Sequence, residues 1–183
     1  MSNKAIDRDL YLNEVNIASI TELTKSINNI NNIDEENIHL YEVYGNKYNR
    51  KPIRLFIDSP GGNVYQALGF VNIIENSKTP IHTIVTGYAA SAGFLISLFG
   101  HKRFGHKYSS YMYHQLAYGA YGKFKDHQED LEESERLHNL LCSIVVDKTK
   151  LKRKDLDKND AKKKDWWMTS EEALKYGIID QIL

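Results

Sequence analysis

The sequence predicts an α/β fold, and three observations carry that expectation. Apolar runs of strand length alternate with stretches whose apolar residues recur every three or four positions. Two turns of glycine and other small residues each follow such a run and precede a helical stretch. The composition, 42% hydrophobic and 26% charged, is that of an ordinary globular protein. At 183 residues the chain reads as one domain over 1–183, long enough to bury a real core.

The elements follow in order. Leu10-Tyr11-Leu12 opens a short strand. Ser19 and Glu22 have the spacing of a capping box, and Ile20, Leu23, Ile27 and Ile30 recur at helical spacing behind it. The Asn- and acid-rich stretch 28–36 reads as the end of that helix and a loop. Ile53, Leu55, Phe56 and Ile57 form a nearly continuous apolar strand, the pattern of a strand covered on both faces. After Ser59-Pro60-Gly61-Gly62, a helix shows Val64, Ala67, Leu68, Val71 and Ile74 on one face. Ile81 to Val85 is a second buried strand, which Gly87 is expected to break. Ala89-Ala90-Ser91-Ala92-Gly93 then leads into the apolar stretch 94–99. Short strands follow near Arg103-Phe104 and at Tyr111 to His114. Residues 115–124 are rich in Gly and Tyr. A long helix is expected over about 126–148 with Leu131, Leu137, Leu141, Ile144 and Val145 inward. The charge-dense stretch 150–164 reads as a solvated connector. A last helix starts at a capping box of Thr169 with Glu172 and stops at Gly177, a C′ glycine.

Charge and cysteine content narrow the function classes. Twenty-four basic residues balance twenty-four acidic ones, so no global field attracts nucleic acid or an anionic membrane. The lone Cys142 excludes an intrachain disulfide and fits a reducing compartment; its apolar helical setting reads as a buried, inert thiol. No stretch approaches the roughly 20 apolar residues of a membrane span, and no leader pattern opens the chain, so a cytoplasmic location is expected. There is no His-Glu-x-x-His run and no cysteine pair, so neither metal nor other cofactor is expected.

The two small-residue turns are where chemistry could reside. A turn between a buried strand and a helix leaves N–H groups unpaired at the helix start, where developing negative charge is stabilised. Gly61-Gly62 admits close backbone approach. Ser91 stands among Ala89, Ala90, Ala92 and Gly93, open to a bulky acyl group and followed by an N–H that can join an oxyanion hole. The alternative at this stage is tight strand–helix packing with Ser91 as a helix cap. A serine nucleophile needs a base, normally an oriented histidine. Of seven histidines, His114 ends a strand-like run and precedes a polar Gln115, which suits a rim position. Asp165 stands against Trp166-Trp167, whose rings could exclude water from a carboxylate–imidazole pair.

Four blocks in this order carry a resemblance. Ile57-Asp58-Ser59-Pro60-Gly61-Gly62, Gly87-Tyr88-Ala89-Ala90-Ser91-Ala92-Gly93 and Met112-Tyr113-His114-Gln115 are followed by Asp165, Met168-Thr169-Ser170-Glu171-Glu172-Ala173 and Tyr176-Gly177-Ile178-Ile179-Asp180. Together, over about 53–183, they closely resemble the proteolytic subunit of the Clp protease (ClpP). The resemblance implies a ClpP/crotonase-like fold of stacked β-α units with a protruding handle helix at about 126–148. It implies a serine endopeptidase cutting peptides or unfolded proteins inside a chamber of stacked rings of identical subunits, expected to be heptameric. Ser91 is then the nucleophile, His114 the base, Asp165 the orienting acid, and the N–H groups of Gly62 and Ala92 the oxyanion hole. Gly61, Gly119, Ala120, Tyr121 and Gly122 fall in the segments that hold an extended substrate by its backbone. An AAA+ unfoldase is the partner the family implies; the family's gate segment is largely missing before Asp9, which argues against it. Leu116 replaces the family's proline, Ala92 its frequent methionine, and 42–51 looks inserted.

Three other readings were weighed. A signal peptide peptidase A-like enzyme shares a similar small-residue turn but uses a lysine base. A crotonase-type acyl-coenzyme A enzyme needs neither Ser91 nor His114. A noncatalytic ring subunit or scaffold is disfavoured by a complete triad.

Overall fold

Parallel strands with helices in the crossovers carry the site. The computed structural model of the chain describes residues 6–117, 119 and 123–183. In chain order, β1 (Asp9–Leu12) leads to α1 (Ile17–Val43), β2 (Ile53–Ser59), α2 (Val64–Glu75), β3 (Ile81–Ala90) and α3 (Ala92–Ser97). β4 (Lys102–Gly105) and β5 (Ser110–Tyr113) precede the long α4 (Phe124–Lys148). α5 (Arg153–Asp160), β6 (Trp166–Thr169), α6 (Ser170–Lys175) and β7 (Gln181–Ile182) complete the order. Strands β1-β2-β3-β4-β7 lie side by side and are all parallel. β2 occupies one edge of β3. The other edge is shared: His82–Val85 pairs with β4, and Tyr88–Ala90 pairs with β5. β5 in turn pairs antiparallel with β6. Residues from β1, β2, β3, β5, β6 and all the helices meet in one buried cluster built around Ile27, Leu55, Ile57, Phe70, Ile96 and Tyr111.

The first helix departs from the sequence reading at both ends. Its capping box is Asn16 with Ser19, not Ser19 with Glu22: Asn16 Oδ1 accepts from the Ser19 N–H, and Ser19 Oγ accepts from the Asn16 N–H. The stretch expected to end it stays helical to Val43 because the inward face continues through Ile27, Ile30 and Asp34. The Asp34 side chain is fully buried. Arg8 donates two hydrogen bonds to it, and the hydroxyls of Tyr48 (2.7 Å) and Thr79 (2.6 Å) donate one each. Burial disfavours its charge, but these donors outweigh that effect and hold the carboxyl at about 2. The segment after α1 is thereby tied to β1 and to the approach to β3.

Three further expectations give way. β2 is not covered on both faces: Ile53, Leu55, Ile57 and Ser59 are buried while Arg54 and Asp58 face out. Phe56, on the open face, stacks on Tyr11 at 5.3 Å, so an aromatic neighbour shields it instead of a helix layer. Gly87 does not end β3; it marks the changeover from β4 to β5. A Cβ there would lie 2.4 Å from Asp58 Oδ1, which accepts from the Tyr88 N–H at 3.1 Å, so a side chain at 87 would have to push that carboxylate aside. The stretch 150–164 contains α5, anchored by fully buried Leu156. Its high charge hid one inward residue per two turns.

The second half of the chain positions the walls of the site. α4 starts two residues earlier than expected, at Phe124. Residues 125–132 are exposed on every side, so Leu131, expected inward, is 46% exposed. Only the second half packs, through Leu137, Cys142 and Val145. The last helix follows its sequence signals: Thr169 and Glu172 form the capping box, and Gly177 takes φ 69° as C′. Among the described residues no helix is long and apolar enough to cross a membrane.

Candidate active site

The site is built where two tight turns press on each other. Gly61 has φ 103°, and a Cβ on it would lie 2.8 Å from Ser91 Cβ and 2.9 Å from the Ala92 nitrogen. Gly93 is packed in return against Ser59, whose Cβ would be 3.1 Å away. Ser59 Oγ accepts from the Gly61 N–H at 3.2 Å. Gly62 is clamped from outside by Val15: the Val15 N–H donates to Gly61 O, and the Asn63 N–H donates to Val15 O, each at 2.8 Å. Two N–H groups are left over. Among the described residues no acceptor takes the N–H of Gly62 or of Ala92.

Ser91 connects β3 to α3 in a conformation L residues rarely adopt, φ 54° and ψ −121°. Such backbone costs about 1–3 kcal/mol and persists where the surroundings over-determine it, commonly at functional sites. Here the Ser91 N–H donates to Met112 O at 3.0 Å, and Ser91 O accepts the Leu95 N–H at 3.0 Å. Both contacts hold the turn between β5 and the first turn of α3. Ser91 occupies the N-cap position of α3, but its side chain makes no cap hydrogen bond, so capping does not account for the hydroxyl. Its hydroxyl faces His114 instead, with Nε2 to Oγ at 2.8 Å. His114 follows the last residue of β5, which pairs with β3 beside Ala90; that pairing brings the imidazole beside the turn. An imidazole at this distance can take a hydroxyl proton directly.

The pair opens into a cleft of about 380 Å³. Its lining includes Gly62, Ser91, Ala92 and His114 at one end. Phe94, Leu95, Leu141 and Val145 form apolar walls, with Leu116 and His138 at their margins. The site therefore joins a hydroxyl beside an imidazole, two amide donors without an acceptor among the described residues, and an apolar recess.

A family model described as Clp protease matches residues 20–183. The chain belongs to the Clp protease family. It is 35% identical over 136 residues to the ATP-dependent Clp protease proteolytic subunit 2 of Treponema pallidum, covering 73% of this chain and 67% of that protein. It is 36% identical, again over 136 residues, to the ATP-dependent Clp protease proteolytic subunit of Bacteroides thetaiotaomicron, covering 73% of this chain and 60% of that one. A Bacteroides fragilis subunit of the same name is 35% identical with 64% covered. The chain thus matches about three-fifths to two-thirds of these relatives' length. The α/β, mostly parallel architecture is that of a ClpP-like fold.

Within this Clp-family chain the remaining residues singled out from sequence fall as follows. Asp165 is exposed, one position before β6, and no hydrogen bond joins it to His114. The β5–β6 register runs from Ser110 against Thr169 to Tyr113 against Trp166. That pairing ends one residue short of His114 and Asp165. Gly119 is exposed and outside regular structure, and Ala120, Tyr121 and Gly122 lie outside the described residues. Sequence reasoning missed Val15 and Ser59, which hold the Gly61-Gly62 turn in shape. The Ser59 bond to Gly61 spans only two residues, whereas the Val15 contacts come from a segment distant in the chain and leave no local pattern.

Proposed function

We propose that the chain is a serine-type endopeptidase acting on peptides or unfolded proteins. One observation carries the reading: Ser91, strained at a strand-to-helix turn, has its hydroxyl 2.8 Å from His114 Nε2 at the mouth of an apolar cleft. Ser91 Oγ attacks the peptide carbonyl carbon while His114 takes its proton. The oxyanion is received by the N–H groups of Gly62 and Ala92, whose orientation costs no reorganisation. His114 then protonates the leaving amine, and water activated by the same imidazole releases the acyl group. Asp165, just before β6 as His114 is just after β5, serves to orient the imidazole and stabilise its charged form. The apolar walls around Phe94, Leu141 and Val145 suit an apolar substrate side chain.

An amine base of the signal peptide peptidase A type is disfavoured because the neighbour of the Ser91 hydroxyl is an imidazole. Membership of the Clp family further supports a chamber of stacked rings of this subunit, with α4 as the projecting handle and residues 119–122 beside the substrate. The test is a fluorophosphonate probe read by mass spectrometry, with turnover of a fluorogenic peptide and native mass. The expected result is one adduct on Ser91 in a large oligomer, with both adduct and turnover lost in Ser91→Ala. Undiminished turnover in Ser91→Ala, or an adduct elsewhere, overturns the reading.

A further inference from the structure

A second cluster of chemically competent side chains adjoins the cleft, which His138 alone of the three lines. His138 and Cys142 sit four residues apart on α4, so they share one helix face. Asp160, the last residue of α5, meets them across the helix pair. His138 Nε2 lies 3.1 Å from Asp160 Oδ2 and 3.6 Å from Cys142 Sγ. One ligand atom from each of the three residues falls within 4.8 Å of the other two. Cys142 is fully buried, and Asp160 Oδ1 is buried without a hydrogen-bond partner. A buried carboxylate oxygen with a free lone pair is uncommon and asks for a partner.

We propose that His138, Cys142 and Asp160 form a binding site for a zinc-class divalent cation. The donor set of imidazole, thiolate and carboxylate is that of tetrahedral zinc, and not of magnesium or calcium, which take oxygen ligands. The spacing agrees. Bonds of ~2.3 Å to sulfur and ~2.0–2.1 Å to nitrogen at a tetrahedral angle separate those two atoms by ~3.5–3.6 Å. Sγ and Nε2 stand 3.6 Å apart before any adjustment. Nitrogen and oxygen ligands would stand ~3.4 Å apart, so the His138–Asp160 separation of 3.1 Å has to open by a few tenths of an ångström.

The surroundings support the same assignment. The Tyr113 hydroxyl contacts Cys142 Sγ at 3.4 Å and donates to Asp160 Oδ2 at 3.2 Å, so one buried hydroxyl holds the thiol and the carboxylate together. Arg153 donates to Asn139 Oδ1 at 2.8 Å and fixes α5 against α4, so the donors are held on rigid elements. His138 lines the cleft and gives the cation its entry, with solvent or a substrate atom in the fourth position. Binding replaces the Cys142 S–H bond by a metal–sulfur bond and releases the proton to solvent. Affinity accordingly rises with pH.

The experiment is a titration of the whole chelator-stripped chain with Co²⁺, then Zn²⁺, followed by absorption. One equivalent of Co²⁺ is expected to give a thiolate-to-cobalt charge-transfer band with tetrahedral d–d bands, both bleached by one equivalent of Zn²⁺ and untouched by Mg²⁺. Cys142→Ala should abolish the charge-transfer band. His138→Gln should weaken Co²⁺ binding by ~100-fold or more. If Cys142→Ala proves unfolded by circular dichroism, His138→Gln decides alone, since His138 is partly exposed and tolerant of change. No cobalt spectrum in the wild-type chain, or an unchanged one in His138→Gln, overturns the proposal. None of these readouts uses Ser91, so they stand apart from the peptidase reading.

Discussion

Replacing Gly61 by alanine puts one methyl group at the point where the two turns meet. The new Cβ would stand 2.8 Å from Ala90 O, 2.8 Å from Ser91 Cβ and 2.9 Å from the Ala92 nitrogen, where ordinary contact begins at 3.4 Å. Two of these neighbours are backbone, so no flexible side chain can swing away. The turns must part by about half an ångström, and φ 103° adds strain, together about 1–3 kcal/mol. For a chain of this size the melting temperature should fall by about 2–12 °C. The larger effect should be on rate. The Ala92 N–H and Ser91 move relative to each other, and misplacement by less than an ångström of groups preorganised for a transition state costs about 10²-fold. The loss should appear in kcat, with KM little changed, because an oxyanion donor acts in the transition state. Gly69→Ala is the matched control: Gly69 lies within α2 with nothing within 4 Å of a Cβ. It should gain about 0.5–1 kcal/mol from helix propensity and keep full activity. Peptide turnover and fluorophosphonate labelling rate, both on folded protein, report the outcome. Turnover of Gly61→Ala within about twofold of wild type would refute the reasoning, as would an equal loss in Gly69→Ala.

Two other perturbations separate parts of the site and the fold. Asp165→Asn should lower kcat by about 10⁴ while leaving assembly and KM nearly unchanged, because an amide holds the wrong tautomer of His114; a loss below tenfold means another group orients the imidazole. Asp34 has its folded-state carboxyl held at about 2 against an ordinary 3.8, so it stabilises the fold by about 2 kcal/mol above pH 4. That contribution is lost as pH falls from the ordinary value towards 2. Urea denaturation at pH 6 and pH 3 should show Asp34→Asn destabilised at the higher pH and the gap shrinking at the lower. Parallel pH dependences of the two proteins would contradict the assignment.

Legibility differed by range. Helix α2, the cap of α6 and the Gly177 stop were readable because their causes lie within a few residues. Three local readings failed for reasons that lie outside the local window. The 28–36 stretch remains helical because Asp34 finds Arg8, Tyr48 and Thr79, far away in sequence. Gly87 leaves room for the Asp58 carboxylate across the sheet, and α5 forms because Leu156 has a core to enter. A fourth, Leu131 inward by periodicity, fails because residues 125–132 stay exposed in the structure described.

The order of residues alone determined the alternation of strand and helix, the two small-residue turns and the identity of the family, since spacing and residue size are local properties that survive without coordinates. The sequence already pointed to His114 among seven histidines; only the tertiary structure decided that its imidazole stands beside Ser91, because β5 must lie against β3 before the ring can reach the hydroxyl. The same holds for the His138, Cys142 and Asp160 cluster. Two of its members share a helix face, but the third arrives from another helix, and a donor set becomes a site only when packing brings its atoms within bonding range.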